Sequence, residues 1–333
     1  MKIAVLKIGA FGDVLMSTPF LASLKKGFPS ARIDYWLGSS FACILDNFPG
    51  INVIAFDERI FYRKHFWKLP GLIYRLRKER YDLIFVLDRH WVFGLVGWLG
   101  GIPKRIGFDR NGEGVFHSVK VHYGSRIHEI KQYVALARAV GCPRSDEKMR
   151  LYLSAKELQA GREIAYKYRI IGATAIAAGG AKNPGQDMAS RRWPVERFAL
   201  VAKEVAKSSK VVLVGGRDDV SYAEYISRNS KVVNLVGKYS LRDAAAVLKH
   251  CKVLITNDSG LMHIASAVGC CVAAIFGPTD PVRKAPPGSF YVWNAMVLDK
   301  EETFAVYSDE AKKNINKVSV EDVVEMWRKA CRA

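Results

Sequence analysis

The sequence predicts an α/β protein made of two doubly wound, Rossmann-like domains. The chain of 333 residues is too long for one ordinary core and suits two domains of about 150 residues each. Short aliphatic runs alternate with helical patterns along its whole length, which is typical of parallel sheets covered by helices on both faces. Hydrophobic residues make up 50% and charged residues 25% of the chain, which is the composition of a globular protein.

Ten aliphatic runs are predicted strands, five on each side of a capping box. The first five are residues 3–6, 33–37, 53–56, 83–87 and 105–108, and the last five are residues 174–178, 211–214, 232–235, 253–256 and 272–276. The capping box, Ser154 to Glu157, opens a helix that we expect to run to about Tyr168. We therefore predict domains of residues 1–168 and 169–333, hinged near 165–173.

Three further helix starts are marked in the second domain. Pro194 suits the first turn of one helix, and Ser240 caps another. A final helix is predicted from about Val320, after the cap at Ser319, and the sequence does not assign it to a domain. Because ligands of open α/β sheets bind beyond the carboxyl ends of the strands, we expect the chemical residues in loops that face a cleft between the domains.

The formal net charge of +19 is the outlying number of the composition. It falls on both halves, because residues 1–165 hold 26 Lys and Arg against 15 Asp and Glu, a net +11, and the rest carries +8. An evenly spread positive field predicts an anionic partner. Nucleic acid, a phosphorylated metabolite and an anionic membrane surface all satisfy that condition, and charge alone does not choose among them.

The cysteines and the apolar runs indicate a reduced protein without a spanning helix. No Cys-x-x-Cys spacing occurs among the six cysteines, which argues against a zinc site and a disulfide framework. The most apolar run, residues 91–102, is 12 residues long, shorter than the roughly 20 that a spanning helix needs. Since a strand-like pattern begins at once after Met1, with no leader pattern, we expect a cytoplasmic protein.

The most informative stretch joins the strand at 253–256 to an amphipathic helix through Asp258, Ser259 and Gly260. The first N–H groups of a helix lack intrahelical partners and carry the positive end of its dipole, so this junction predicts a phosphate site. His263 lies in the helix. A lone histidine on an apolar helix is either a structural residue or a catalyst, and both interpretations stay open.

The loop after the first strand carries Gly9, Gly12 and Asp13. It lacks the Gly-x-Gly-x-x-Gly pattern, and Asp34 lies at the start of the second strand instead of its end, so a nicotinamide site is poorly supported. Asp13 is placed to accept a proton over the cleft, or else only to cap the next helix.

Paired arginines, Arg191 and Arg192, follow a glycine-rich loop that includes Gly180 and Lys182. Two guanidinium forks beside such a loop suit a diphosphate held without a metal. The alternative is a solvated charged surface beside a buried Trp193.

Residues 58–80 mix basic and aromatic side chains. The stretch holds eight Lys and Arg, among them Arg63, Lys64 and Lys68, against two acids, and it includes Trp67 and Tyr74. Such mixtures suit an anionic lipid interface, and they also suit single-stranded nucleic acid through stacking.

These motifs, in this order, resemble glycosyltransferase family 9, the bacterial lipopolysaccharide heptosyltransferases, across nearly the whole chain. The family's strand followed by Gly-Asp-Val matches Gly12 to Val14, and its Lys-Arg-Trp-Pro matches Arg191 to Pro194. Its Asp-Ser/Thr-Gly-x-x-His and Phe-Gly-Pro-Thr-Asp-Pro motifs stand unaltered at 258–263 and 276–281.

The resemblance implies a GT-B fold, with an N-terminal acceptor-binding domain and a C-terminal domain that binds the nucleotide-sugar donor. It implies inverting, metal-independent transfer of a heptose from ADP-heptose to the lipopolysaccharide inner core, a Kdo- or heptose-bearing lipid A. No cofactor is implied beyond this substrate, and we expect no metal ligands. The implied partners are the nucleotide sugar, an anionic glycolipid and the inner face of the inner membrane. We expect no nucleic-acid partner and a monomeric enzyme.

The resemblance also assigns roles to single residues. Asp13 matches the family's general base, and Arg191 matches the basic residue that supports the leaving diphosphate. Donor binding is implied for five residues of one motif, namely Asp258, Ser259, Gly260, Leu261 and His263. Asp219 and Tyr239 are expected to face the nucleoside. Lys182, in the loop before the paired arginines, is also expected to bind the donor. Arg63, Lys64 and Lys68 are expected to face the acceptor and the membrane.

Two positions depart from the family pattern. Arg191 replaces the usual lysine, which keeps the charge and changes its geometry, and Asp219 is shorter than the usual glutamate. Two alternatives stay open: another nucleotide-sugar transferase or epimerase of the same fold, and a non-catalytic basic protein that binds membranes or nucleic acid.

Overall fold

The computed structural model describes residues 1–183, 186–293 and 314–333, and the chain divides into two units, Met1–Tyr152 and Leu153–Ala333. Each unit contains one six-stranded sheet in which every pairing is parallel. Both sheets follow the doubly wound strand order, so the architecture predicted from the sequence is confirmed.

The first unit forms a sheet of order β3-β2-β1-β4-β5-β6. Its strands are β1 Lys2–Lys7, β2 Arg32–Gly38, β3 Asn52–Phe56, β4 Leu83–Val86, β5 Lys104–Asp109 and β6 Val119–His122. The strand order reverses between β1 and β4, where Leu6 lies beside Val86. The loops that leave these two strands therefore border the crevice in which open α/β sheets bind ligands.

Helices cover both faces of this first sheet. They are α1 Phe11–Met16, α2 Thr18–Gly27, α3 Arg59–Tyr62, α4 Leu69–Glu79, α5 Trp91–Leu99 and α6 Glu129–Arg138. On one face α4 and α5 pack on each other, and Leu76 and Val96 share a core cluster with Ile84. Since neighbouring strand residues point to opposite faces, Phe85 points to the other side, where it meets Phe20 of α2.

The second unit forms a sheet of order β11-β10-β7-β12-β13-β14 and a short hairpin of β8 and β9. Its strands are β7 Thr174–Ala177, β8 Lys182–Asn183, β9 Gln186–Asp187, β10 Val211–Leu213, β11 Val233–Asn234, β12 Val253–Asn257, β13 Cys271–Phe276 and β14 Phe290–Trp293. Its helices are α7 Ala155–Tyr168, α8 Val195–Val205, α9 Val220–Asn229, α10 Leu241–Leu248, α11 Gly260–Val268, α12 Pro281–Lys284 and α13 Val320–Arg332. The switch point of this sheet lies between β7 and β12.

Helix α7 belongs to the second unit, which differs from the domain boundary predicted after residue 168. The predicted capping box at Ser154 is present, and α7 packs on α10. The Glu157 carboxylate is ion-paired with the nearly buried Arg242, which donates from Nη2 at 2.9 Å. A Cβ on Gly161 would lie 2.5 Å from Ala246. These contacts place α7 in the second unit, so the boundary falls at Tyr152. The sequence marks where this helix begins but does not show which domain it packs on.

The ten predicted strands are all present, and the sequence analysis missed one edge strand in each six-stranded sheet and the hairpin of β8 and β9. Strand β6 alternates half-buried with exposed residues, and β14 is paired only with β13 among the described residues. Pro194 immediately precedes α8 instead of lying in its first turn. Helix α13 packs on α8 and β13, and the Trp327 indole donates to Thr174 Oγ1 at 3.0 Å, which places it in the second unit. Within the described ranges, every helix is too short or too polar to cross a bilayer.

Candidate active site

Asp13 lies at the switch point of the first sheet. It is the third residue of α1, whose N-cap is Ala10, so it does not occupy the capping position considered from the sequence. Its side chain is 30% exposed, and Oδ2 lies 3.9 Å from Nζ of Lys7, the last residue of β1. A partly solvated carboxylate at the carboxyl end of a parallel sheet is positioned to accept a proton from a bound hydroxyl.

Two charged residues beside Asp13, Lys7 and Asp88, were missed by the sequence analysis. The Lys7 ammonium forms an ion pair with Asp88 Oδ1, and the Ile8 N–H donates to Asp88 Oδ2 at 2.7 Å. Both side chains are nearly buried. Burial raises the pKa of Asp88, although Lys7 and the Ile8 N–H favour its ionised form. In the sequence, Lys7 directly follows the predicted strand 3–6 and Asp88 directly follows the predicted strand 83–87. A charged residue at the end of each strand was the signal that could have identified them.

Three tyrosines, Tyr35, Tyr62 and Tyr133, come from other elements around this group. Burial is the main cause that raises the pKa of each phenol, and the negative charges of Asp13 and Asp88 raise it further. Tyr35 shares a hydrogen bond of 2.9 Å with Ser17, the residue immediately after the helix that carries Asp13. Lys7 and Asp88 are nearly buried, so their mutual attraction is screened less than that of an exposed pair.

The basic stretch, residues 58–80, lies on the same unit. The three cations expected to face the acceptor, Arg63, Lys64 and Lys68, are exposed. Lys68 Nζ lies 2.7 Å from Asp57, which Arg59 also binds, and these contacts lower the pKa of Asp57. In the described part of the chain no carboxylate pairs with Arg63 or Lys64. Asp57 lies one residue before the stretch counted in the sequence, so its neutralising effect on Lys68 was missed.

Arg191 and Asp258 meet at the switch point of the second sheet. Arg191 Nη1 lies 3.4 Å from Asp258 Oδ2, with the arginine side chain 21% exposed and the aspartate 5%. The Nε of Arg191 is buried, and no described residue supplies it with a hydrogen-bond acceptor. The structure thus brings together two of the predicted site residues, 67 positions apart in sequence, and leaves guanidinium donor capacity for a ligand.

Asn257 holds this second site in place and was not among the predicted site residues. It is fully buried at the end of β12. Its amide nitrogen donates to the carbonyl oxygens of Ala178 and Gly179 at 2.8 and 3.2 Å, and its Oδ1 accepts from the Trp193 N–H at 3.0 Å. One side chain therefore ties the loop after β7 to the segment that carries Arg191. The signal was a polar residue ending an otherwise apolar strand.

The start of α11 has no side-chain cap. Ser259 is its N-cap residue, but its hydroxyl lies 3.3 Å from Thr256 Oγ1 and does not cap the helix. Gly180 has φ +80 and approaches so closely that a Cβ there would lie 2.9 Å from Ser259. Gly260 and Leu261 are half-buried at this start, whereas His263 is buried one turn further along.

The three remaining predicted donor residues lie in the same unit, with Lys182 at the start of β8 and Asp219 directly before α9. Asp219 is buried, and its two oxygens accept the N–H groups of Gly180 and Gly216 at 2.9 and 3.0 Å, which ties the loops after β7 and β10 together. Lys182 is exposed, and its Nζ reaches the Asp218 carbonyl at 3.5 Å. Tyr239 is half-buried just before Ser240, the cap of α10.

The second arginine of the pair has a different partner. Arg192 forms an ion pair with Asp187, which raises the pKa of the guanidinium, and donates to the Gly180 carbonyl at 3.3 Å. The two arginines therefore have different partners, since Arg191 pairs with Asp258 and Arg192 pairs with Asp187. Over residues 1–183, 186–293 and 314–333, no three His, Cys, Asp or Glu side chains are grouped so as to hold a metal ion.

Comparison with known proteins shows which family the chain resembles. The family model "Glycosyltransferase family 9 (heptosyltransferase)" matches residues 71–313. The chain is 28% identical over 294 residues to lipopolysaccharide heptosyltransferase 2 of Escherichia coli (strain K12), with 84% of each chain covered. It is 26% identical over 305 residues to lipooligosaccharide heptosyltransferase 2 of Haemophilus influenzae, with 86% of each covered.

Solved structures show the same fold. A family 9 glycosyltransferase from Veillonella parvula has a TM-score of 0.84 at 22% identity, over 99% of this chain and 97% of that one. ADP-heptose lipopolysaccharide heptosyltransferase II of Escherichia coli has a TM-score of 0.76 at 23% identity, over 100% and 99%. The GT-B fold predicted from the sequence is thereby confirmed. The chain belongs to glycosyltransferase family 9 (heptosyltransferase) and is a glycosyltransferase.

Proposed function

We propose that this enzyme transfers a heptose from ADP-heptose to the inner core of lipopolysaccharide, with inversion and without a metal ion. The observation that carries the proposal is the pairing of Arg191 with Asp258 at the uncapped start of α11. The names of the relatives support the substrates, since they are lipopolysaccharide and lipooligosaccharide heptosyltransferases. A further structural neighbour, a heptosyltransferase of Escherichia coli, was solved with ADP-2-deoxy-2-fluoro heptose.

The second unit supplies the donor half of the reaction. The diphosphate of the donor binds at the start of α11, where the backbone N–H groups of Gly260 and Leu261 and the helix dipole favour an anion. Arg191 donates to the phosphate oxygen that gains charge as the sugar leaves, which stabilises the transition state more than the ground state. Asp258 orients that guanidinium and accepts from sugar hydroxyls, with Ser259, His263 and Lys182 around it. Asp219 and Tyr239 face the nucleoside.

The first unit supplies the acceptor half. Asp13 accepts the proton of the acceptor hydroxyl as the oxygen attacks the anomeric carbon. The new C–O bond forms on the face opposite the leaving group, the bond to the diphosphate breaks, and its electron pair leaves with ADP. One displacement of this kind inverts the anomeric centre. The acceptor is a Kdo- or heptose-bearing lipid A.

The exposed basic stretch fits an anionic glycolipid held at a membrane surface. Arg63 and Lys64 are exposed in the same stretch as the exposed rings of Trp67 and Tyr74, and rings and cations of this kind favour the headgroup region of anionic bilayers. We place the enzyme in the cytoplasm, peripheral on the inner face of the inner membrane, as a monomer without a cofactor and without a nucleic-acid partner.

A donor screen followed by turnover tests this function. ADP-heptose, ADP-glucose and UDP-N-acetylglucosamine are compared by thermal shift, and ADP-heptose at 100 times its dissociation constant should add about 2.7 kcal/mol to the free energy of unfolding. Turnover of ADP-heptose with a Kdo-bearing lipid A should then release ADP, with the same rate in EDTA. Epimerisation without an acceptor, or activity lost in EDTA and restored by magnesium, would contradict the proposal.

A further inference from the structure

A buried lysine lies between two carboxylates in the first unit. Lys7 is 4% exposed, and lysines are almost never buried to this extent unless they are paired. Its ammonium forms the closer ion pair with Asp88, which is itself fixed by the Ile8 N–H, and lies 3.9 Å from Asp13 Oδ2. One cation is therefore shared by two anions, and the three groups together carry a net charge of −1.

The two carboxylates differ in what they are free to do. Asp88 is nearly buried, and both of its oxygens have donors, whereas Asp13 is 30% exposed and farther from the cation. The exposed carboxylate is the one a substrate reaches. The buried one fixes Lys7 at the end of β1 and competes with Asp13 for its charge.

We infer that Lys7 is a positioning residue that keeps the Asp13 carboxylate ionised and oriented, and that Asp88 limits how strongly it does so. This inference rests on the proposed role of Asp13 as the base. The physical reason is that a positive charge about 4 Å away, in a site partly shielded from water, favours the charged form of a carboxylate, whereas a nearby negative charge opposes it.

Other titratable groups surround Asp13 on the elements packed against α1. Among the described residues, α2 carries its lysines, Lys25 and Lys26, in its last turn, away from the start of α1. The side chains of Tyr35, Cys43, Tyr62, Glu129 and Tyr133 lie on other elements around Asp13. Helix α6, which packs on α1, also carries the cations Lys131 and Arg138, and Arg89 follows Asp88 and lies over the Tyr123 ring. Lys7 is the cation that the structure places within 4 Å of both the Asp13 and the Asp88 carboxylates.

The inference predicts shifts of opposite sign in the acid limb of the pH profile. Lys7→Met removes the cation and keeps Asp88, so the limb of kcat/KM should move up by about one to three pH units. Asp88→Asn removes the competing anion, so Lys7 interacts with Asp13 alone. The acid limb of kcat/KM should therefore move to lower pH. The double variant Lys7→Met/Asp88→Asn should lie between Lys7→Met and the wild type.

The experiment is the pH dependence of kcat/KM for these three variants with ADP-heptose and a Kdo-bearing lipid A. Lys25→Met serves as a matched control, because it removes one lysine from the same unit and should leave the limb within a few tenths of a unit. Lys7→Met leaves Asp88 buried without its ion partner, so it is the variant most prone to unfold. The double variant removes both charges and keeps the test decisive if the single variant does not fold.

The outcomes separate this inference from the proposed function. Opposite shifts for Lys7→Met and Asp88→Asn support it, since a merely structural role lowers activity without moving the limb in two directions. A limb that stays at the wild-type pH in the double variant and in Asp88→Asn, while Asp13→Asn is inactive, overturns the role of Lys7 and leaves Asp13 as the base. An active Asp13→Asn enzyme would instead overturn the proposed function.

Discussion

The two sheets share one strand order but place opposite chemistry at their switch points. In the first unit, the loops after β1 and β4 bring together Asp13, Asp88 and one shared lysine, which leaves an excess negative charge. In the second, the loops around β7 and β12 bring Arg191 and Asp258 to the start of a helix, which adds the positive end of its dipole. The same topology thus creates a proton acceptor in one unit and an anion site in the other.

The difference shows that the sheet determines where a site forms and a few loop residues determine what it binds. Each site depends on a buried polar residue that no substrate needs to touch, Asp88 in one and Asn257 in the other. Both hold the loop after the central strand of their sheet by hydrogen bonds to backbone groups. Changes to the reacting residues and changes to these supports should therefore have different consequences.

The largest expected effect is on the first unit. Asp13→Asn keeps the size of the side chain and removes its basicity, so kcat should fall by about a hundredfold to ten-thousandfold while donor affinity stays near that of the wild type. Single-turnover rates and ADP-heptose binding by calorimetry measure the two separately. Turnover within threefold of wild type would show that the first site does not supply the base.

Arg191→Met tests the second site. Removing the guanidinium should weaken donor binding and lower kcat by about a hundredfold, because the charge that develops on the diphosphate loses its main donor. Arg192→Met is the matched control, since Arg192 is held by Asp187 and not by Asp258, and its effect should be within tenfold. If the two variants are equally impaired, the paired arginines act as one surface and the difference between them disappears.

The two units should also differ in their response to acid. Burial is the main cause that lowers the pKa of His117, in the first unit, to about 4 from about 6.5. Its contribution to stability is present above pH 6.5 and is lost as the pH falls toward 4, about 2 kcal/mol of it by pH 5. In the second unit, the hydrogen bond from Arg242 lowers the pKa of Glu157 to about 2 from 4.5, so that contribution is lost only below pH 4.5.

Urea unfolding at pH 7 and pH 5 checks this difference between the units. His117→Gln removes the titrating group and should reduce the loss of unfolding free energy between the two pH values by about 2 kcal/mol. Glu157→Gln destabilises the protein at both pH values and should leave the difference nearly unchanged. An unchanged difference in His117→Gln would mean that His117 is protonated alike in the folded and unfolded states.

The smallest expected effect concerns the membrane-facing surface of the first unit. Arg63→Ser/Lys64→Ser should reduce sedimentation with anionic vesicles at low salt, since each cation adds about 1 kcal/mol near such a surface, and should raise the KM for the lipid acceptor. Lys68→Ser should matter less, because Asp57 already neutralises that lysine. Donor affinity, a property of the second unit, should not change. If the double variant and the wild type bind vesicles equally, the stretch 58–80 does not form the membrane-facing surface. Residues 91–102 are then the next candidate.

Much of this protein could be predicted because the decisive signals are local. Strands such as β1 and β12 are continuous apolar runs, and α7 and α10 open at capping boxes, so pattern alone located them. The edge strands β6 and β14 escaped detection, whereas the other two edge strands were predicted; in β6, Lys120 and His122 alternate with two valines, so no continuous apolar run marks it. The domain boundary escaped because the Glu157–Arg242 pair that fixes α7 joins residues 85 positions apart.

The sequence by itself determined the fold class, the order of the motifs, and the candidates Asp13, Arg191 and Asp258, because each lies near the end of a recognisable strand or the start of a recognisable helix. Only the tertiary structure decided which groups share a charge. Lys7 meets Asp88 across 81 positions, Asn257 reaches Trp193 across 64, and Asp57 binds Lys68. The physical reason is that hydrophobic periodicity is written along the chain, whereas charge pairing depends on distances that exist only after the strands have aligned.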